Sequence, residues 1–122
     1  MAPTQHMTDL NGRCLIIERN FLIALDLDLI LQSFGFQHVD YAADWKSATQ
    51  LLHDKSYKLA FIEYDQNADV LEQISSEIKS PGPTIVFTST VLERSDMPSS
   101  LRDYRLLFKP YSVNELRSML DF

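Results

Sequence analysis

Apolar positions along the chain fall into short unbroken runs separated by longer stretches of helical spacing. Cys14-Leu15-Ile16-Ile17 is such a run, bounded by Asn11-Gly12 before and by charged residues after. It predicts a strand covered on both faces. Over residues 21–34 the apolar positions are Phe21, Leu22, Ile23, Leu25, Leu27, Leu29, Ile30, Leu31 and Phe34. That is too long for one strand; Asp26 and Asp28 break any alternation, and Gly35 supplies a C-terminal stop. A first helix is expected there.

The alternation then repeats. Residues 38–42 read as a second strand, and Asp44 offers an N-cap for a helix with Trp45, Ala48, Leu51 and Leu52 on one face. Leu59-Ala60-Phe61-Ile62 is a third buried run, followed by a polar loop and by Val70, Leu71, Ile74 and Ile78 at helical spacing. Pro81-Gly82-Pro83 ends that helix. Thr84-Ile85-Val86-Phe87 gives a fourth strand, whereas 91–102 predicts only a short or irregular helix because Pro98 interrupts it. Leu106-Leu107-Phe108 makes a fifth strand. Val113, Leu116, Met119 and Leu120 line a final helix capped by Ser112.

Strands alternating with helices imply parallel pairing through crossover connections. The expected fold class is α/β: one domain with a doubly wound, five-stranded parallel sheet and helices on both faces, flavodoxin-like. Residues 1–11 form a flexible N-terminal segment and 12–122 the domain. In such sheets, sites lie at the carboxyl ends of the strands beside the switch point. That places Glu18, Arg19, Glu63, Thr88 and Lys109 together.

Composition narrows the classes. A chain of 122 residues, 45% hydrophobic and 23% charged, can bury roughly two-thirds of its unfolded surface without staples. Eleven basic against seventeen acidic residues leave a net charge of −6, which repels a phosphate backbone, so no nucleic-acid partner is expected. The single cysteine, Cys14, lies in an apolar run and reads as a small buried hydrophobe. The first eleven residues carry no secretion signal and no stretch is long enough to span a membrane, so the protein reads as cytoplasmic with no membrane partner. His6, His38 and His53 lack metal-site spacing and read as surface residues.

Over residues 12–122 the order and spacing resemble the receiver domains of bacterial two-component response regulators. Glu18-Arg19 stands where that family has an acidic pair after the first strand, and Glu63 where a phosphoacceptor aspartate closes the third. Thr88 and Lys109-Pro110 match the remaining signatures, and the resemblance implies that the Lys109-Pro110 bond is cis. The resemblance further implies that two acidic side chains and the aspartate hold Mg²⁺, that the aspartate takes a phosphoryl group from a phosphohistidine, and that Thr and Lys bind the product. A hard cation requires oxygen ligands and neutralises the transferring group, while the lysine is a mobile point charge.

All three acidic positions depart from that pattern. Glu18 is one methylene longer, Arg19 reverses the sign, and Glu63 replaces the phosphoacceptor. A permanently charged guanidinium competes with a divalent cation for the same carboxylates, so no cofactor is expected and Mg²⁺ binding is in doubt. Arg19 can bridge Glu18 or Glu63. Glu63 reads either as a stabilising partner of Lys109 or as an imperfect imitation of an aspartyl phosphate reaching toward Thr88 and Lys109. Leu106, three before Lys109, stands at the switch position where the family commonly has an aromatic, so Thr88 reads mainly as a strand-end hydroxyl satisfied by local hydrogen bonds. Asp65, two beyond Glu63, is an alternative phosphoacceptor, although a place in the solvated loop suits it better.

The expected function is that of an atypical receiver, not an enzyme, binding a signalling protein (a histidine kinase or an output protein) independently of phosphorylation. The alternatives are a working phosphoryl-accepting receiver using Asp65 or the Glu63 region, and a receiver fragment of a larger kinase or transcription factor. The first helix is apolar around nearly its whole circumference, which calls either for neighbouring helices or for a homodimer or partner surface along 21–31. A second candidate surface is the fourth helix, fifth strand and fifth helix, marked by Arg94, Arg102, Tyr104, Arg105 and Tyr111.

Overall fold

The computed structural model describes residues 11–64, 82–89, 105–109 and 112–120. Within these, β1 (Arg13–Ile17), α1 (Phe21–Ser33), β2 (His38–Ala42), α2 (Trp45–Asp54), β3 (Leu59–Glu63), β4 (Thr84–Ser89), β5 (Arg105–Phe108) and α3 (Val113–Met119) follow in order. The strands form one sheet in the order β2-β1-β3-β4-β5, with every neighbouring pair parallel. The expected helices at 70–78 and 91–102, together with Asp65, Arg94, Arg102, Tyr104, Tyr111 and the Lys109-Pro110 bond, lie outside the described residues.

The unbroken apolar runs are unbroken because both sides of each strand are buried. One face carries Leu15, Ile17, Ala60, Ile62, Phe87 and Leu106 and is covered by Ala48, with Trp45, Leu51 and Leu52 of α2 packed against it. The other carries Cys14, Ile16, Phe61, Val86 and Leu107 and is covered by Ala24, Leu27 and Leu31 of α1 and by Leu116 of α3. Helices therefore lie on both faces. Burial, reinforced by the Asp28 charge, pushes the Cys14 thiol up to about 12, which suits an inert packing residue.

Local signals set the helix ends. The Asn20 side chain accepts from the backbone N–H of Leu22 at 3.0 Å and of Ile23 at 3.4 Å, and Asp44 accepts from Ser47 at 2.8 Å. Ser112 and Glu115 form a reciprocal capping box. Gly35 leaves α1 with φ of 109°, a conformation that a Cβ would disfavour. Near the amino-terminal ends of β1 and β3, Asp40 accepts from the Tyr57 hydroxyl at 2.7 Å and from Lys55 at 3.3 Å, and pairs with Arg13 at 3.7 Å. This cluster ties the edge strand β2 to the segment entering β3. Among the described residues no helix is long and apolar enough to cross a membrane.

Two strands run past the carboxyl ends of their apolar runs. β3 includes Glu63, and β4 continues through Thr88 and Ser89. Parallel pairing holds the polar strand ends in the ladder, Glu63 opposite Thr88 and Ser89 opposite Phe108, where hydrophobicity alone would have ended them.

Candidate functional site

Side chains alternate between the faces of a strand. Continuing the face that α1 covers (Cys14, Ile16; Phe61; Val86; Leu107) by one step brings Glu18, Glu63, Thr88 and Lys109 to the carboxyl ends of four adjacent strands. Leu106 belongs to the opposite face, buried with Phe87 and Ile62. The residues that sequence reasoning brought together are brought together here, with Leu106 behind them across the sheet.

The charges satisfy one another. The Lys109 ammonium donates to Glu18 Oε1 and, at 3.3 Å, to Glu63 Oε2. The second Glu18 oxygen, Oε2, accepts from the backbone N–H of Asn20 at 3.0 Å. Glu63 Oε1 accepts from both the backbone N–H and the Nε of Arg19 at 3.0 Å, and Oε2 accepts from Nη2 at 3.5 Å. Of the two bridges open to Arg19, the one formed is therefore to Glu63. Among the described residues, two carboxylates and two cations make a cluster with no net formal charge.

Burial divides the cluster into an inner and an outer pair. Glu18 and Lys109 are almost wholly enclosed, with side chains 3% and 7% exposed, while the Arg19 side chain is 65% exposed and lies over Glu63 like a cover. Burial acts to raise the Glu63 pKa. The Arg19 hydrogen bonds, from side chain and backbone, and the Lys109 charge outweigh it and bring it down from 4.5 to about 2. Glu63 is thus an anion throughout the physiological range.

Two supporting residues were not singled out by sequence reasoning. Tyr41 on β2 donates its hydroxyl to the Glu18 carbonyl at 2.9 Å, and its ring meets Phe21 edge-on with centroids 5.7 Å apart. Burial, followed by the charges of Glu18 and Glu63, raises the Tyr41 pKa, so the hydroxyl keeps its proton and remains a donor. Asn20 both caps α1 and holds Glu18. Its position immediately before the long apolar run was the available signal for the cap; nothing in the sequence marks Tyr41.

Thr88 is 3% exposed and lies close to Glu18, Ile23, Leu27 and Phe61. Its carbonyl accepts from the Tyr64 N–H at 2.7 Å. Its hydroxyl makes no hydrogen bond among the described residues. A buried hydroxyl left open in this way is uncommon. No three of His, Cys, Asp and Glu come together as a possible metal site among the described residues.

No protein-family model matches the sequence, and no curated protein matches it. Solved structures do. A CheY-like response-regulator receiver domain from Methylobacillus flagellatus superposes with a TM-score of 0.76 at 19% identity, covering 91% of this chain and 97% of that one. The chain has the receiver fold. HP1043, an orphan response regulator of H. pylori, matches with a TM-score of 0.70 at 17% identity over 93% of this chain and 99% of that one. The receiver domain of the sensor histidine kinase PA1611 from Pseudomonas aeruginosa, in which a magnesium ion is coordinated in the active-site cleft, matches with a TM-score of 0.73 at 17% identity over 91% and 95%. Identities this low carry the receiver fold alone. The chemistry of this pocket has to come from its own residues.

Proposed function

We propose that this chain is a receiver-fold binding module of two-component signalling, located in the cytoplasm, which engages its protein partner without accepting a phosphoryl group. The observation that carries the reading is the state of Glu63. At the strand end where the resemblance puts the phosphoacceptor, its carboxylate is held by Arg19 and Lys109. A nucleophile needs a free oxygen lone pair aimed at the incoming phosphorus, and both Glu63 oxygens are hydrogen-bonded to fixed cations.

The donor set also argues against a divalent cation. Hard cations are bound through several oxygens, and here every carboxylate oxygen of Glu18 and Glu63 accepts from a nitrogen. A cation entering this space would have to displace Arg19 or Lys109 and meet their charge. The three bridges supply internally the neutralisation that a metal would otherwise give. Glu63 serves here mainly as the stabilising partner of Arg19 and Lys109; its carboxylate is not engaged with Thr88.

The test is incubation of the purified chain with acetyl phosphate, with and without Mg²⁺, read by intact mass. No mass gain is expected, and Trp45 fluorescence is expected not to respond to Mg²⁺. A Mg²⁺-dependent gain of one phosphoryl group, lost in Glu63→Gln or in Asp65→Asn, would overturn the proposal. The buried Thr88 hydroxyl, which makes no hydrogen bond among the described residues, favours a phosphoryl-accepting pocket, so Asp65→Asn belongs in the experiment.

A further inference from the structure

The turn from β1 into α1 hangs on side chains. Glu18 is tied to the sheet, its N–H donating to the Ala42 carbonyl at 3.1 Å, and the helix ladder starts with the Ala24 N–H donating to the Asn20 carbonyl at 3.1 Å. Between these points the N–H groups of Arg19, Asn20, Leu22 and Ile23 donate to side-chain oxygens: Arg19 to Glu63, Asn20 to Glu18, and Leu22 and Ile23 to Asn20. No acidic side chain in the first turn of α1 adds to that cap. Packing holds the turn weakly as well. Phe21 is 58% and Leu22 72% exposed, as Leu25 and Leu29 are exposed further along, and Ala24 is the first buried residue of the helix. Phe21 meets Tyr41 by one edge. The start of α1 therefore depends on Asn20, whose side chain can cap only while its own backbone is held in place, and the pocket carboxylates hold it.

Of the two carboxylate ties, one is enclosed and one can open. Glu18 is bound to Lys109, with both side chains buried. Glu63 reaches over from β3, and its partner Arg19 is mostly exposed. Arg19 places its backbone N–H, Nε and Nη2 on that single carboxylate, so the three bonds are made or lost together. Anions in the solvent compete with Glu63 for the exposed guanidinium, and when they succeed Lys109, at 3.3 Å, still holds Glu63 and keeps its charge paired. We propose that the Arg19–Glu63 contact is a clasp that fastens the β1–α1 turn to β3 and so sets whether the first turn of α1 is capped. Closed, it positions Asn20 over Leu22 and Ile23. Open, the loosened turn gives up the cap, and the first turn of α1 unwinds with it. This goes beyond the reading of the chain as a binding module: it connects the pocket mechanically to α1 through a step that needs neither a phosphoryl group nor a metal.

Amide hydrogen exchange of the full chain, resolved by NMR, tests the clasp. In Glu63→Ala the amides of Arg19, Asn20, Leu22 and Ile23 are expected to exchange about tenfold faster than in the wild type, with those of β1 and of Leu116 in α3 changed much less. Asn20→Ala should speed Leu22 and Ile23 while Arg19 keeps its protection. A salt series supplies a check on the unmodified chain. Raising NaCl from about 0.05 M to about 1 M screens the exposed pair, and should speed the same four amides together in the wild type and leave them unmoved in Glu63→Ala. Acceleration confined to Arg19 in Glu63→Ala, acceleration spread equally over the sheet, or wild-type exchange indifferent to salt would each overturn the proposal. Phosphoryl uptake from acetyl phosphate would instead overturn the phosphorylation-independent function and leave the clasp standing.

Discussion

The inner pair of the pocket offers the most demanding check on the structure. Lys109→Met removes the ammonium from Glu18 and leaves a carboxylate that is 3% exposed with one backbone N–H as its remaining donor. Breaking a buried pair from one side costs about 3–5 kcal/mol, because the surviving charge remains desolvated without compensation. Glu63 keeps Arg19, so the loss from the outer pair should be small. Against a total stability on the order of 5–15 kcal/mol the effect is large. Urea unfolding followed by circular dichroism and by Trp45 fluorescence measures it directly. The cause is separable from packing in two ways. An unpaired buried carboxylate is relieved by taking up a proton, so the deficit relative to the wild type should shrink as pH is lowered toward about 4. The double variant Glu18→Leu/Lys109→Met removes both charges and should recover most of the loss. A single variant within about 1 kcal/mol of wild type, or a double variant no better than the single one, would refute the buried pairing.

Two further outcomes follow from the same geometry. Glu63, depressed from 4.5 to about 2, contributes stability that is present above the ordinary carboxylate pKa and lost as pH falls from about 4.5 to about 2. Glu63→Gln should therefore cost about 1–2 kcal/mol near neutrality, allowing for solvent screening at exposed Arg19, and next to nothing near pH 2, as measured by the pH dependence of the urea midpoint. Cys14, fully buried with its thiol pushed up to about 12, should react with an aromatic disulfide only through opening of the structure, so that its labelling rate rises with urea in parallel with unfolding. Fast labelling in the native state would contradict the packing of β1.

Much of this was legible from residue pattern. Four apolar runs and the mixed segment 38–42 became five parallel strands, and Asp44 and Ser112 cap the helices that follow them. The strand ends were less clear, because Glu63, Thr88 and Ser89 are kept in the sheet by the neighbouring ladder and not by their own hydrophobicity. The pocket residues could be named because strand order and alternation dictate where Glu18, Glu63, Thr88 and Lys109 must lie. Which carboxylate takes which cation could not, since that depends on distances set by packing. Leu106 was placed by its spacing from Lys109, but only the structure puts it on the far face with Phe87. The clustering of Tyr57, Lys55 and Arg13 about Asp40 gave no sequence signal, being assembled from separate elements. For α1, the apolar excess was plain in the sequence, and the choice between covered and open required knowing how much of the helix its neighbours reach.

The pocket bridges span long stretches of chain: Arg19 and Glu63 are 44 positions apart, Glu63 and Lys109 46, and Glu18 and Lys109 91. Contacts between such distant residues cannot form until β1, β3, β4 and β5 have come into register, so they belong on the native side of the folding barrier. Their contribution then falls chiefly on the escape rate from the native state, and much less on the rate of reaching it. A cluster that closes last acts as a latch. Loosening it at Lys109 should shorten the lifetime of the folded molecule while leaving its refolding speed nearly untouched.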